Sequence, residues 1–443
     1  MSSTISTEVL VIGAGPAGIA AATVAADHGR HVLVLDDNRN SGGQIWRESS
    51  TAQTSSSYPR ESKKQRALKR LHLSGAELLT GCTVFSASAD GFVEALQETA
   101  RGSAVKRVHF QQLILATGAR ERFLPFPGWT LPGVFGVGGL QTLVRAGYPV
   151  AGKRIVVAGT GPLLLAVAAH LAQDGARVTT IAEQAPFSAL ASFAASLWRQ
   201  PAKLIQGARY RSSLRSSSYR LGCWVTEAIP SEDGRALSAV RFTDGKRNWT
   251  EPCELLACAY HLVPNTEIAE LLGCVFDGSF VGVDARQQTS IPNIYCAGEP
   301  TGIAGLDAAI VQGEVAGLAC AGKPTNALSS RLQSERVFAK SLERAFVLRE
   351  ELRSLPSPDT IVCRCEDVRF GSLEGHAVWS DIKLQTRCGM GPCQGRVCGP
   401  AIEFLLKSEP ASVRQPLYPV PLRALCGATQ QMPQVGRTEI TES

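Results

Sequence analysis

The chain has 443 residues, of which 44% are hydrophobic and 19% charged, which allows two or three domains with buried cores and excludes a disordered chain. The net charge is +6, and the basic residues form no stripe with interleaved aromatics, so we expect no nucleic-acid partner. No apolar run could span a bilayer, and the polar start lacks a signal-peptide pattern, which predicts a cytoplasmic protein. Its 13 cysteines are then expected as thiols or metal ligands.

The first predicted elements form a βαβ unit around a glycine-rich turn. Glu8–Ile12 is an apolar strand, an alanine-rich helix follows, and a second strand ends at Asp36. In the turn, Gly13 permits the tight bend, Gly15 the approach of a pyrophosphate, and Gly18 the close packing of helix on strand. Asp36 lies 18 residues after Gly18, where it can bind ribose hydroxyls. The complete unit predicts a dinucleotide site.

A second unit of the same kind begins about 145 residues later. Arg154–Ala158 is a predicted strand, followed by a helix and a strand that ends at Glu183. The turn has Gly159 and Gly161, but Leu164 replaces the third glycine and would push helix and strand apart or force a different packing. No arginine pair follows to hold a 2′-phosphate. We expect either an NAD site or an inherited scaffold that is empty or holds another adenine nucleotide.

Four cysteines near the C-terminus form two pairs, Cys363-Arg-Cys365 and Cys393-x4-Cys398. Two thiolate pairs can hold an iron–sulfur cluster, because soft sulfur ligands match iron. The Cys-x-Cys spacing is unusual for structural zinc, which favours two to four intervening residues. Zinc and uncoordinated thiols stay as alternatives. Cys388 is a fifth candidate, since its spacing to Cys393 equals that of the second pair.

Two further segments resemble glutathione-reductase-like flavoproteins, and this resemblance covers about residues 5–325. One strand closes with Ala-Thr-Gly at Thr117-Gly118, and another ends in Gly298-Glu299. In that superfamily these segments complete an FAD domain, and the final acid, usually Asp, holds the ribityl chain. The loop Ser41–Trp46 should lie near the flavin. The redox Cys-x4-Cys pair of disulfide reductases is missing, because residues 36–81 contain no cysteine.

The resemblance implies an α/β fold with two Rossmann-like nucleotide-binding domains of glutathione-reductase type and a small helical C-terminal [2Fe-2S] module. The expected divisions are an FAD domain (1–125 and 285–328), an NAD-like insert (126–284), a linker helix (329–358), a [2Fe-2S] domain (359–410) and a C-terminal tail (411–443). The residues expected to bind FAD are Gly13, Gly15, Pro16, Ala17, Gly18, Asp36, Asp37, Gly43, Gln44, Thr117, Gly118, Gly298 and Glu299. Those expected at the second nucleotide are Gly159, Gly161 and Glu183.

The cysteine segment resembles the [2Fe-2S] module of the bacterioferritin-associated-ferredoxin type. The matching residues are Val362–Asp367 and Thr386–Cys398. Similar modules share Gly-Pro-Cys-Gln-Gly-Arg-x-Cys, so the resemblance implies four ligands, which are Cys363, Cys365, Cys393 and Cys398. It leaves open whether Cys388 competes with Cys398 for the fourth position.

Nearly the whole chain resembles the FAD-containing α (A) subunit of heteromeric amino-acid and opine dehydrogenases, a group that includes opine oxidases, hydroxyproline and proline dehydrogenases and hydrogen cyanide synthase. The resemblance rests on Gly-Gly-Gln-Ile-Trp, Thr-Gly-Ala-Arg-Glu-Arg and Phe-Pro-Gly-Trp-Thr-Leu-Pro-Gly-Val. In that group a flavin-containing β (B) subunit of the oxidase type oxidises the substrate, and the α subunit relays the electrons. FMN is often bound near the subunit interface.

The resemblance therefore implies an electron-transferring FAD/[2Fe-2S] subunit that feeds a quinone or another one-electron acceptor. A small third subunit and peripheral association with the inner membrane are further expectations. No catalytic residue is predicted, since we find no acid–base pair or arginine clamp for an amino acid. Two other functions stay open: a free-standing NAD(P)H-dependent flavin oxidoreductase, and a ferredoxin-like adaptor without enzymatic activity.

Overall fold

The computed structural model of the chain describes residues 3–46, 63–100, 102–376, 378–408 and 413–428. Two parallel sheets that carry helices dominate the fold, so the predicted α/β class with two Rossmann-type units is confirmed. None of the helices in the described part of the chain combines the length and hydropathy needed to cross a membrane.

The first unit is built on a sheet whose central strands are buried and apolar, as parallel strands covered on both faces are. Its elements are β1 (Ser3–Ile12), α1 (Pro16–Asp27), β2 (Val32–Asp36), α2 (Lys63–Leu73), β3 (Glu77–Thr80), β4 (Cys82–Ser88), β5 (Phe92–Thr99) and β6 (Gly102–Leu115). The strand order is β3-β2-β1-β6-β5-β4. β6 pairs with β1 in parallel and with β5 in antiparallel, so it joins the nucleotide-binding sheet to a β-meander.

The second unit repeats the parallel arrangement and adds an antiparallel sheet. Its elements are β7 (Ala119–Glu121), β8 (Val134–Gly136), α3 (Val137–Arg145), β9 (Arg154–Thr160), α4 (Leu163–Gln173), β10 (Arg177–Glu183), α5 (Phe187–Ser196), α6 (Pro201–Ser213), β11 (Ser218–Leu221), β12 (Trp224–Pro230), β13 (Leu237–Thr243), β14 (Asn248–Pro252) and β15 (Leu255–Tyr260). The parallel sheet has the order β11-β10-β9-β15-β8, and β12-β13-β14 form the antiparallel one.

The chain then returns to the first unit. The elements of this segment are β16 (Leu262–Pro264), α7 (Glu267–Leu271), β17 (Phe276–Asp277), β18 (Phe280–Val281), β19 (Ile294–Cys296), α8 (Leu306–Cys320) and α9 (Ser329–Ala345). β16 pairs with β7, and β19 pairs in parallel with the end of β6. α8 packs on α1 at very short range, because a Cβ at Gly313 would lie 2.2 Å from the carbonyl oxygen of Ala17.

The linker helix is shorter than predicted. α9 ends at Ala345, and only a 3-10 helix at Glu350–Ser354 follows before the cysteine segment. The physical reason is that Phe346 and Leu348 are buried, so the chain turns inward instead of continuing as a charged, exposed helix.

The last part of the chain contains the cysteine module and a returning segment. Its elements are β20 (Ile361–Cys363), β21 (Val368–Arg369), α10 (Trp379–Thr386), α11 (Cys398–Leu406) and α12 (Leu422–Ala428). We call residues 413–428 the returning segment, because Leu417 N–H donates to the Phe85 carbonyl and the side chain of Gln415 bonds to Ser86 and Ala87 of β4. The predicted polar tail beyond residue 430 lies outside the described residues.

The α1–α8 contact leads to a stability prediction. We expect Gly313→Ala to lower the free energy of unfolding by about 1–3 kcal/mol, because the added methyl meets backbone atoms of α1 that cannot move aside. The matched control is Gly207→Ala in α6, where a Cβ meets nothing within 4 Å and alanine favours the helix. Urea unfolding measures both variants, and equal stabilities of the two would contradict the prediction.

Candidate functional site

The glycine turn of the first unit brings three backbone segments into contact. Gly13 has a φ of +105°, and a Cβ there would lie 2.3 Å from the carbonyl oxygen of Ala116 at the end of β6. A Cβ at Gly18 would lie 1.8 Å from the carbonyl oxygen of Gly13. Both positions therefore require glycine, and the first turn of α1 lies directly against the strand ends.

The N-terminus of α1 is available to an anion. Gly15 caps the helix without a side-chain hydrogen bond, and Pro16 and Ala17 form the buried first turn. Such a terminus presents free N–H groups and the positive end of the helix dipole to a phosphate. Gly43 lies over this turn, since a Cβ there would lie 2.9 Å from the Cα of Gly15.

The loop that contains Gly43 is fixed to the glycine turn. Gly42 N–H donates to the Ala14 carbonyl over 2.8 Å, and Trp46 N–H donates to Gly42 over 3.2 Å. Trp46 is buried, whereas Gln44 is exposed at the tip of the loop. The loop therefore forms one wall of the cleft above the turn.

Asp36 ends β2 beside the glycine turn. Its Oδ2 accepts from Ala14 N–H at 2.5 Å, and its Oδ1 accepts from Asn38 N–H at 2.8 Å. The neighbouring Asp37 is exposed. A ribose at this edge of the cleft would lie within reach of both carboxylates.

Glu299 closes the other side of the cleft. The carboxylate is buried, its Oε1 accepts from Gly305 N–H at 3.1 Å, and its Oε2 has no hydrogen-bond partner among the described residues. Burial raises the pKa of Glu299 to about 7. An acceptor without a partner is costly in a buried site, so this oxygen fits the hydroxyl groups of a bound FAD. The glutamate thus suits the position where aspartate is usual.

These residues together fit FAD. Gly298, which precedes Glu299, has a φ of +86°, and a Cβ there would lie 3.0 Å from the Cβ of Ala17. Thr117 and Gly118 follow β6 on the same side of the sheet as Gly13. Bound FAD would supply the redox chemistry here, because a flavin accepts two electrons and releases them singly.

The second glycine turn copies the first in two respects. A Cβ at Gly159 would lie 1.9 Å from the carbonyl oxygen of Ala259, as at Gly13. Glu183 accepts from Gly161 N–H over 2.7 Å, as Asp36 does from its own turn, and also from the hydroxyl of Thr160. Burial raises the pKa of Glu183 to about 7. A nucleotide at this turn stays a prediction.

Leu164 is accommodated by a different packing, one of the two outcomes that the sequence allowed. The side chain is fully buried and belongs to the apolar cluster that also contains Ile155 and Val157 of β9. α4 begins at Leu163, and its N-cap is Pro162. A core leucine therefore replaces the helix–strand contact that a glycine makes in the first unit.

Three cysteines of the C-terminal module form a buried sulfur triplet. The Sγ atoms of Cys363, Cys388 and Cys398 all lie within 4.8 Å of one another. All three side chains are buried in an apolar cluster with Trp379 and Ile402. The sulfur atoms come from the end of β20, the residue two positions after α10, and the first residue of α11.

Hydrogen bonds to Cys363 favour its thiolate. The thiols of Cys388 and Cys398 and the N–H groups of Gly389 and Glu366 surround its Sγ, and they hold the pKa of Cys363 far below its usual range. The same contacts raise the pKa of Cys388 and Cys398. One thiolate with several donors is a suitable first ligand for a metal.

The four predicted ligands share one cavity. A cavity of about 120 Å³ is lined by Cys363, Cys365, Cys393 and Cys398, together with Phe123, Trp129, Arg364 and Val397. Cys388 belongs to the triplet but does not line this cavity. Cys393 N–H donates to Cys365 at its exposed side. The residues therefore fit a small iron–sulfur cluster that is buried on one side and close to solvent on the other.

Two glycines allow the loops around these sulfurs to approach each other. A Cβ at Gly391 would lie 2.2 Å from the Cβ of Cys365, and one at Gly389 would lie 2.8 Å from the ring of Trp379. Trp129 fixes the strand before Cys363, because its Nε1–H donates to the Ile361 carbonyl at 2.6 Å.

A polar network connects the flavin cleft to the cysteine loop. Thr117 donates its hydroxyl hydrogen to the Asn265 carbonyl at 2.5 Å, and Arg120 donates to the side chain of Asn265 at 2.7 Å. Arg120 also donates to the Arg396 carbonyl and forms an ion pair with Glu267 at 2.9 Å. Since Arg396 lies between two predicted ligands, the network joins both sites.

The sequence analysis assigned no role to these network residues. Arg120 belongs to the Thr-Gly-Ala-Arg-Glu-Arg motif, which was the available signal. Glu267 carried no signal, because its two arginine partners are distant in sequence. Among the alternatives, His261 is structural: its Nε2 bonds to the Phe346 carbonyl, and its φ is +71°.

Comparison with known proteins agrees with this architecture. The family described as pyridine nucleotide-disulphide oxidoreductase matches residues 7–313. The hydrogen cyanide synthase subunit HcnB of Pseudomonas protegens is 31% identical, over 96% of this chain and 98% of that protein. The α (A) subunit of opine oxidase from Rhizobium meliloti is 32% identical, over 94% and 97%. The structure of L-proline dehydrogenase from P. horikoshii has the same fold, with a TM-score of 0.65, 16% identity and coverage of 96% and 80%.

The raised pKa of Glu299 leads to a pH-dependence prediction for the flavin-free protein. The folded-state pKa of about 7 exceeds the ordinary 4.5, so the stabilisation is present below pH 4.5 and is lost as the pH rises through 7. We expect Glu299→Gln to reduce the fall in the free energy of unfolding between pH 5 and 8 by about 1–3 kcal/mol.

Urea unfolding of the flavin-free protein across this pH range measures the effect. The exposed Glu374→Gln serves as the control and should leave the pH dependence unchanged. Identical pH profiles for wild type and Glu299→Gln would contradict the assignment of a protonated, buried carboxyl group.

Proposed function

Because the chain belongs to the pyridine nucleotide-disulphide oxidoreductase family, in the group with HcnB and the α (A) subunit of opine oxidase, we propose that it relays electrons as the FAD/[2Fe-2S] subunit of a heteromeric amino-acid or opine dehydrogenase. The substrate is an amino acid or an opine-type secondary amine. The observation that carries the proposal is the polar network from Thr117 to Arg396, which connects a cleft suited to FAD with a cavity lined by four cysteines.

The substrate is oxidised on a partner β subunit that has its own flavin and is of the oxidase type. The relatives are named as subunits, in agreement with a heteromeric enzyme. Exposed apolar side chains offer a surface for a partner: Phe187 is 74% and Trp198 71% exposed, and no residue of α5 or α6 is buried. Such surfaces are typical of protein–protein contacts. FMN at the interface and a small third subunit complete the proposed assembly.

The electrons leave through the cluster to a quinone or another one-electron acceptor. A flavin releases electrons singly, and a [2Fe-2S] cluster accepts one at a time, so the two cofactors convert a two-electron oxidation into single transfers. The subunit works in the cytoplasm, at the periphery of the inner membrane when its acceptor is a membrane quinone. An NAD-type nucleotide at Gly159, Gly161 and Glu183 has a regulatory or structural role in this proposal.

The division of labour predicts that the purified chain alone does not oxidise amino acids or opines. We expect substrate-dependent dye reduction only after co-expression with an oxidase-like β subunit, because no group suited to substrate oxidation lies in the described cleft. Visible absorption of the isolated chain should still show bound flavin. Full substrate turnover by the chain alone would contradict the proposal, and rapid anaerobic bleaching of its flavin by NADH would favour the free-standing reductase.

The ligand set predicts different results for two buried cysteines of the triplet. Cys398→Ala should remove most of the iron, acid-labile sulfide and visible cluster absorption, because Cys398 lines the cavity. Cys388→Ala should retain all three, because its sulfur lies outside the lining. The two changes are matched in chemistry and burial, so a general loss of folding would affect both. Retention in Cys398→Ala with loss in Cys388→Ala would make Cys388 the ligand, and a colourless protein with stoichiometric zinc would exclude the cluster.

A further inference from the structure

A second cavity lies next to the one that the cysteines line. Its volume is about 180 Å³, and it lies between β8, β15 and the segment 123–129. Most of its wall is aromatic, formed by Phe123, Phe126, Trp129, Phe135 and Tyr260. Phe123, Trp129 and Arg364 line both cavities, so a single layer of side chains separates this aromatic cavity from the sulfur atoms.

Tyr260 supplies a polar group without a partner. The residue is only 1% exposed, and its hydroxyl makes no hydrogen bond to any described residue. Buried tyrosine hydroxyls usually find a partner, because an unpaired donor in an apolar site is unfavourable. A ligand in the aromatic cavity that offers a hydrogen-bond acceptor would satisfy this hydroxyl.

The size and charge of the cavity restrict the ligand. An apolar cavity of about 150 Å³ is known to hold one benzene ring, so this cavity has room for a single substituted ring and is too small for a three-ring flavin. At its exposed side, the guanidinium of Arg364 lies over the ring of Trp129, 5.6 Å from the centroid. A planar ring with carbonyl acceptors, near a cation, has the chemistry of a one-ring quinone.

We propose that the aromatic cavity binds the ring of a one-ring quinone, with a quinone carbonyl accepting a hydrogen bond from Tyr260. This inference rests on the proposed function, because it makes the quinone the acceptor of the cluster's electrons. Two successive single-electron transfers cross the wall formed by Phe123 and Trp129. With two protons taken from solvent, both C=O groups become C–OH groups, and the cluster returns to its oxidised state after each transfer.

The test is the affinity of the purified full-length protein for 2,3-dimethoxy-5-methyl-1,4-benzoquinone, measured by titration calorimetry. We expect Tyr260→Phe to raise the Kd about 3- to 10-fold, because one hydrogen bond is lost while the ring stays. Val134→Trp should abolish binding, because the larger side chain fills the cavity that Val134 lines. Tyr210→Phe removes a tyrosine hydroxyl outside the cavity and should leave the Kd unchanged.

Absence of binding to wild type, or the same Kd in wild type, Tyr260→Phe and Val134→Trp, would overturn the inference. Visible absorption and iron content of the same samples report on the proposed function separately. A protein that contains flavin and cluster but does not bind the quinone disproves only the quinone site. A protein that binds the quinone at Tyr260 without any cluster supports the site as a binding site and removes its role as the cluster's acceptor.

Discussion

Close backbone contact at the ends of parallel strands is the constraint on which this architecture depends. In both Rossmann-type units the first glycine of the turn lies so near a neighbouring strand that a methyl group would overlap a carbonyl oxygen, Ala116 beside Gly13 and Ala259 beside Gly159. The same close approach recurs between α1 and α8 at Gly313. These contacts bring the start of α1, Asp36 and the segment before Glu299 to one cleft edge, where a dinucleotide can bind along the positive helix end.

Electrostatics then determine how the cleft communicates with the cysteine module. Glu267 lies between the guanidinium groups of Arg120 and Arg396, at 2.9 and 3.7 Å, and all three side chains are at most one-quarter exposed. Partial burial reduces screening by solvent, so the arrangement holds both arginines in place more firmly than a surface ion pair would. The negative charge of a cluster bound beside Arg396 would be balanced by the same network.

Much of this could be predicted from local sequence. Strand, glycine turn, helix and terminal acid follow one another within about 30 residues in each unit, so periodicity and spacing identified them. The Cys-x-Cys and Cys-x4-Cys spacings likewise marked the metal-binding segment. The approach of Cys388 to Cys363, however, depends on how α10 packs, and the role of Glu267 depends on arginines far along the chain. Such long-range contacts leave no periodic signal in a single sequence.

The returning segment has a consequence for how electrons travel. The cysteine module is attached to the flavin unit through its linker and also through residues 413–428, where Arg396 donates to the Leu417 carbonyl and its guanidinium lies 3.8 Å from the centroid of the Tyr418 ring. A carrier domain on a single flexible linker shuttles between donor and acceptor in microseconds to milliseconds. A module anchored at two ends cannot shuttle in this way, so electrons must tunnel across a fixed gap, and the acceptor has to come to the protein.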